Sequence, residues 1–151
     1  MFAKIVTIAL AGFLSSAALA AQPNVYNCVG ANGSLLISYT STSTAGTPTF
    51  NVSRSGRSLT SGPNLLVSIQ HSPTPLGQFV SVIVTPRFTA DVPSQLYGIF
   101  IPQIELSQQN QVAFTTEFLE GTIGGGRRAA VIGQQINAAY QVNCGASRRL
   151  F

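Results

Sequence analysis

The chain has 151 residues, only 8% of which are charged, and its formal net charge is +4. An average globular domain carries roughly 25% charged residues, so we expect a surface built mainly from Ser, Thr, Asn and Gln. The few arginines are scattered along the chain, which excludes the dense basic stripe typical of nucleic-acid-binding proteins, and we expect no nucleic acid among the partners.

Residues 1–20 have the pattern of a secretory signal peptide. A single cation, Lys4, precedes an apolar run, and the segment ends in Ala-Leu-Ala, a small-residue cleavage site. Cleavage would leave one β domain, residues 21–151, with seven arginines against four acidic residues. No later segment approaches the ~20 apolar residues that span a bilayer. We therefore predict a secreted or periplasmic mature protein without a transmembrane segment.

Apolar residues alternate with polar ones along much of the remaining chain, which is the pattern of half-buried β-strands. In chain order, the alternating positions are Leu35, Ile37 and Tyr39; Phe50 and Val52; Leu65, Val67 and Ile69; Val80, Val82 and Val84; and Val112, Phe114 and Phe118. Two shorter strands, 99–101 and 104–106, are predicted on either side of Pro102. Because proline has no amide hydrogen for a sheet ladder, we expect this break at a sheet edge or a bend.

Turn-forming sequences separate these strands at intervals of about ten residues. Asn32-Gly33 predicts a tight hairpin, because both residues accept positive φ angles. Further turns are predicted at 55–56, 61–63, 72–75 and 124–126. Short strands at this spacing predict an all-β fold, either a single-domain antiparallel β-sandwich or a small barrel.

Residues 129–141 fit two kinds of secondary structure. A helix would align Ile132, Ile136, Ala139 and Tyr140 on one face, and a strand would align Ile136, Ala138, Tyr140, Val142 and Cys144. The alanines favour the helix, whereas the continuation of the segment into Val142 and Cys144 favours the strand. We predict a strand and keep the helix as the alternative.

The sequence contains two cysteines, Cys28 and Cys144, near the two ends of the predicted mature chain. An exported protein folds under oxidising conditions, in which such a pair forms a disulfide. On the strand interpretation Cys144 shares a face with Tyr140, as Cys28 does with Tyr26. We therefore expect the two terminal strands to lie together, with the disulfide in the core. The alternative is a pair of buried free thiols.

Few residues are candidates for catalysis, and we assign no catalytic residue, metal ligand or cofactor. His71 is the single histidine and no Gly-x-Ser-x-Gly motif accompanies it, so we expect a solvated side chain at a strand end. One histidine and a disulfide-bonded cysteine pair cannot supply the ligands of a zinc site. Glu117 and Glu120, three positions apart on a strand, would face opposite sides rather than converge as a glycosidase pair. We expect both glutamates to be solvated.

The segment 121–128 has the glycine spacing of a phosphate-binding loop, but arginines replace the Lys and the Ser/Thr of that motif. We expect a flexible hairpin loop there. An alternative hypothesis is that its backbone amides and two guanidinium groups bind a carboxylate or a phosphate. The residues of this candidate anion-binding loop are Gly124, Gly125, Gly126, Arg127 and Arg128.

Two triplets, beginning at Asn32 and Asn51, match the acceptor pattern for N-linked glycans. Asn51 is expected to face outward if Phe50 and Val52 face the core. Whether either acceptor is used depends on the source organism.

Export, β architecture and the lack of a catalytic constellation favour a non-catalytic binding, surface or assembly module with a protein or surface partner. The alternative is a small β-barrel that holds an apolar or anionic small molecule, for which a cavity above ~300 Å³ is expected. A hydrolase-type enzyme is the third hypothesis, and it would need polar groups that converge on His71 or Glu117. The sequence does not specify the ligand, the partner or the oligomeric state.

Overall fold

A computed structural model describes residues 24–41, 47–88, 92–106, 111–124 and 134–148. These residues form nine β-strands. The strands are β1 (Asn24–Gly30), β2 (Leu35–Thr40), β3 (Thr49–Arg54), β4 (Arg57–Ser58), β5 (Leu65–Thr74), β6 (Gly77–Pro86), β7 (Ser94–Pro102), β8 (Val112–Ile123) and β9 (Gln134–Arg148). Within the described ranges, no helix has the length and hydrophobicity that crossing a bilayer would require.

All nine strands belong to one antiparallel sheet, in the spatial order β4-β3-β2-β1-β9-β8-β7-β6-β5. The sheet curls into a half-barrel, so it has a concave and a convex face. Strands that follow one another in sequence pair with each other, except β4 and β5, and β1 also pairs with β9. Because the first and last strands meet inside the sheet, its two edges are β4 and β5. The all-β, antiparallel prediction is confirmed.

Alternate side chains of the strands fill the concave face, as the period-two pattern predicts. The most deeply buried of these side chains are Leu35, Tyr39, Val52, Val80, Val82, Ile99, Ile101, Phe118 and Val142. Aromatic rings add directional contacts, since Tyr26 stacks on Tyr39 with ring centroids 5.6 Å apart, and Tyr97 stacks on Phe118 at 6.2 Å. Strand β5 is the exception to this burial, and its Val67 is 45% exposed.

Strands β1 and β9 are joined by a disulfide at the middle of their ladder. Cys28 lies directly opposite Cys144 in the register, with Cα atoms 4.0 Å apart, and the two residues are bonded. Both side chains are buried among core residues. The predicted disulfide is confirmed, and a buried disulfide is compatible with an oxidising extracellular or periplasmic location.

Two hairpins use left-handed backbone conformations at their turns. Between β1 and β2, the short 3₁₀ turn Ala31–Gly33 has φ angles of 47°, 56° and 84°, which confirms the hairpin predicted at Asn32-Gly33. Between β3 and β4, Ser55 and Gly56 have φ angles of 50° and 78°. This turn allows Arg54 to pair with Arg57 directly across it.

Two local predictions are wrong. The sequence predicts a turn at 72–75, but β5 continues through Thr74 and the turn to β6 is formed by residues 75 and 76. Proline is tolerated at position 73 because β5 is an edge strand, where a missing amide hydrogen breaks no ladder. The sequence also predicts a strand at 104–106, but β7 ends at Pro102 and the following residues are irregular, although Leu106 packs against the core.

Strand β9 confirms the strand interpretation of the ambiguous segment over its described part, residues 134–141. Over these residues β9 pairs with β8, and from Val142 onward it pairs with β1 as well, so ladder formation outweighs the helix propensity of alanine. Residues 129–133 and the predicted signal peptide, residues 1–20, lie outside the described residues.

We expect the double variant Cys28→Ser, Cys144→Ser to keep its strands but to melt about ten degrees lower or more. The disulfide spans a sequence separation of 116 residues, and removing it returns about 4–5 kcal/mol of conformational entropy to the unfolded chain in the chain-entropy model. Thermal unfolding of the oxidised wild type and the variant, followed by circular dichroism, measures this shift. An unchanged melting temperature would contradict a stabilising disulfide.

Candidate functional site

His71 lies within β5, and its imidazole reaches a buried tyrosine on β2. The hydroxyl oxygen of Tyr39 lies 2.7 Å from Nε2 of His71, so the two groups share a hydrogen bond. The sequence predicts a solvated histidine at a strand end: the exposure is confirmed, but the position is wrong, because β5 continues to Thr74. The His71 side chain is exposed, but the curled sheet brings it across the concave face to Tyr39.

The ionisation of Tyr39 argues against a catalytic role for this pair. Burial raises the pKa of Tyr39 to about 12, and electrostatic interaction with Tyr26 is a smaller cause. The phenol is therefore protonated at neutral pH and can donate its hydrogen to the imidazole of His71. A nucleophilic phenolate needs a lowered pKa instead, so the raised pKa of Tyr39 favours a structural hydrogen bond that links β2 to β5.

Arg54 and Glu120 form an ion pair across the concave face, between β3 and β8. The Arg54 guanidinium also lies over the ring of Tyr140, 5.5 Å from its centroid. Burial would lower the pKa of Arg54, but the hydrogen bond and the charge of Glu120 outweigh it and raise that pKa. Burial and the same carboxylate raise the pKa of Tyr97. The ion pair thus connects two strands that are not neighbours in the sheet.

The two glutamates considered as a catalytic pair are on opposite faces of β8. Glu117 is exposed, and the side chain of Glu120 is 16% exposed and bonded to Arg54. The prediction that they would not converge is confirmed. The prediction that Glu120 is a solvated surface charge is wrong, because its side chain points into the concave face. Arg54 continues the inward positions of Phe50 and Val52, and this continuation was the available signal for the ion pair.

The predicted anion-binding loop is described only at Gly124, which has a φ angle of 72°. The other four residues of that loop lie outside the described residues, and their role stays a prediction. In the part of the chain that the structure describes, no group of three or more His, Cys, Asp or Glu side chains could hold a metal ion. Asn51 is exposed between two buried neighbours, as predicted, and Asn32 is also exposed.

The described surface has two open depressions. One, of about 370 Å³, lies beside the turn from β5 to β6 and the end of β7, and Tyr26, Gln78 and Gln103 contribute to its lining. The other, of about 430 Å³, runs over the outer surface of β1 to β3, where Val29 and Leu36 are exposed. Neither lining includes a charged side chain.

Strand β5 carries a row of backbone groups that no described strand pairs. The amide of Arg87 donates to the carbonyl of Asn64 at 2.9 Å, and these two residues continue the register of the β5–β6 ladder. Backbone groups of alternate residues in a strand point to the same side. The even-numbered residues of β5 therefore bond to β6, and the odd-numbered ones point to the free edge. Three of these residues, Val67, Ile69 and His71, present both an N–H and a C=O to that edge, because the N–H of Leu65 donates to the carbonyl of Gly62 and Pro73 has no N–H.

This edge lacks the features by which proteins usually prevent strand pairing. Natural edge strands are short, charged, bulged or covered. Strand β5 has ten residues, it contains no Lys, Arg, Asp or Glu, and its register with β6 is regular throughout. Its one protective residue is Pro73, near the end. By contrast, the opposite edge strand, β4, has only two residues, one of which is Arg57.

Comparison of the chain with models of protein families, with curated proteins and with solved structures finds no match in any of the three. The candidate functional site is therefore defined by the geometry of the sheet and its side chains.

We expect the free energy of unfolding to fall as the pH rises from about 10 to about 12. The pKa of Tyr39 is about 12 in the folded protein and 10.0 is its ordinary value. The contribution of Tyr39 to stability is therefore complete below its ordinary pKa of 10.0 and is lost as the pH rises through its folded-state pKa of about 12.

The variant Tyr39→Phe cannot ionise at this position, so its stability should decline less over the same pH interval. A residual decline is expected from Tyr26 and Tyr97, whose pKa values burial also raises. Urea unfolding at a series of pH values measures both curves. Parallel curves for the wild type and the variant would contradict the assignment to Tyr39.

Proposed function

We propose that this protein is an exported, non-catalytic binding or assembly module that recruits its partner by strand addition to the free edge of β5. In this mode an extended segment of a partner pairs with an exposed edge through main-chain hydrogen bonds. The secretory pattern of residues 1–20 and the buried disulfide support a secreted or periplasmic location.

The observation that carries the proposal is the combination of length, regularity and neutrality in β5. Three consecutive odd-numbered residues, Val67, Ile69 and His71, direct their backbone groups to the free edge. No charged side chain lies beside them to repel a second strand. On the two faces of the same strand, Leu66 is 51% exposed and Val67 is 45% exposed, so an added strand would also cover apolar surface.

The small-molecule hypothesis is the second candidate, and the depression of about 370 Å³ beside Tyr26 supports it. That volume lies in the range of small-ligand sites. Its lining combines uncharged polar side chains with Ile101 and Ile104, which favours a neutral ligand over an anionic one.

Hydrogen exchange tests whether the edge of β5 is free. In the monomeric protein, we expect the amides of Val67, Ile69 and His71 to exchange at least about 100-fold faster than those of Ser68 and Gln70, which are bonded to β6. Slow exchange at all five amides would show that the edge is already covered, and it would contradict the proposal.

A matched pair of variants tests binding at the same edge. Val67→Pro removes one free amide hydrogen without touching the ladder to β6, whereas Val67→Thr keeps that amide and nearly the same side-chain shape. Chemical crosslinking in the exported fraction of the source cells should capture a partner with the wild type and Val67→Thr, and not with Val67→Pro. Equal capture by both variants, at equal melting temperatures, would place the binding surface elsewhere.

A further inference from the structure

We infer that the partner strand is β5 of a second copy of this chain, paired antiparallel about a two-fold axis at Ile69. This inference rests on the proposed function of the β5 edge and adds the identity of the occupant. Two half-barrels would then share one continuous sheet through their two β5 strands.

The distribution of free backbone groups favours this register. In a self-pair centred on Ile69, each Ile69 lies opposite its own copy, and Val67 lies opposite His71 of the other chain. Each opposed pair exchanges two hydrogen bonds, so all the free N–H and C=O groups of these three residues are satisfied within the dimer. If the axis lay at residue 70, Val67 would lie opposite Pro73, which has no hydrogen to donate. If it lay at residue 68, His71 would lie opposite Leu65, which is outside this set of free groups.

Side chains on the concave face of such a ladder are also self-complementary. Ile69 would meet its own copy, which is an apolar contact between β-branched residues of the kind that stabilises paired strands. Like charges directly opposite each other destabilise a ladder, and β5 carries none, so two copies meet without repulsion. The other edge of the sheet is not free of charge, because its strand β4 contains Arg57, which lies beside Arg54 of β3.

Exposed apolar side chains at the start of the free segment would be covered in the same event. Leu66 projects from the convex face and Val67 from the concave face, and about half of each side chain is exposed in the single chain. A second β5 strand would lie beside both. The paired segment is short, so the interface belongs to the small, weak class, and we expect dimers that dissociate on dilution into the micromolar range.

Sedimentation velocity over a range of concentrations tests this inference with the mature, disulfide-bonded protein. The wild type and Val67→Thr should change from monomer to dimer as the concentration rises, and Val67→Pro should remain monomeric with an unchanged circular dichroism spectrum. A dimer of equal strength in Val67→Pro would place the contact elsewhere and overturn the inference.

A cysteine variant tests the register and does not depend on the proline variant folding. In Ile69→Cys the two introduced thiols would face each other across the two-fold axis, within the Cα separation that a disulfide needs. Mild oxidation should therefore yield covalent dimers. The control, Ser68→Cys, would lie opposite Gln70 of the other chain and should yield at least about tenfold less. Equal yields for the two variants would contradict the register.

Failure of this inference is distinguishable from failure of the proposed function. If the wild type stays monomeric at all concentrations while Val67→Pro alone loses partner capture, the second copy is excluded and strand addition by another protein is supported. If the amides of Val67, Ile69 and His71 are protected from exchange in the monomer, both proposals are overturned.

Discussion

The pairing of β1 with β9 is the constraint on which the rest of this structure depends. It places the first and last described strands side by side inside the sheet, and the bond between Cys28 and Cys144 holds them in register. A disulfide of this sequence separation acts mainly by restricting the unfolded chain. Because the first and last described strands lie in the interior of the sheet, its edges come from strands in the middle of the sequence, β4 and β5.

The curl of the sheet follows from the packing of its concave face. Large apolar and aromatic side chains from most of the strands share that face, and two polar contacts join strands that are not neighbours. Tyr39 with His71 connects β2 to β5, and Arg54 with Glu120 connects β3 to β8. These contacts bring the edge strand β5 toward the core on its inner side, while its outer backbone groups stay unpaired. An uncharged free edge on a disulfide-stabilised scaffold is suited to binding another strand, and this is the basis of the proposed function.

Much of the fold could be predicted from the sequence, because hydrophobic alternation and turn residues act locally. The stripes around Ile37, Val52 and Val82 face the core as predicted, and the disulfide follows from two cysteines placed on apolar strand faces. The errors arose where tertiary context decided the outcome. Pro73 indicates a turn unless its strand is known to be an edge strand. The strand order that places β5 at an edge is a non-local property, which the local sequence does not contain.

The candidate site was harder to predict for the same reason. The partner of His71 lies 32 residues away in sequence, and that of Glu120 lies 66 residues away. No spacing rule connects such pairs before the curl of the sheet is known. The neutrality of β5 can be read directly from the sequence, but it gains a functional meaning only when β5 is found at an edge.

Backbone nuclear Overhauser effects in the dilute monomer test the central claim most directly. The account predicts cross-strand contacts between β1 and β9 on both sides of the Cys28–Cys144 pair, and contacts from the β5 backbone to β6 alone. Contacts from the backbone of β5 to any other strand of the same chain, or no ladder between β1 and β9, would contradict it.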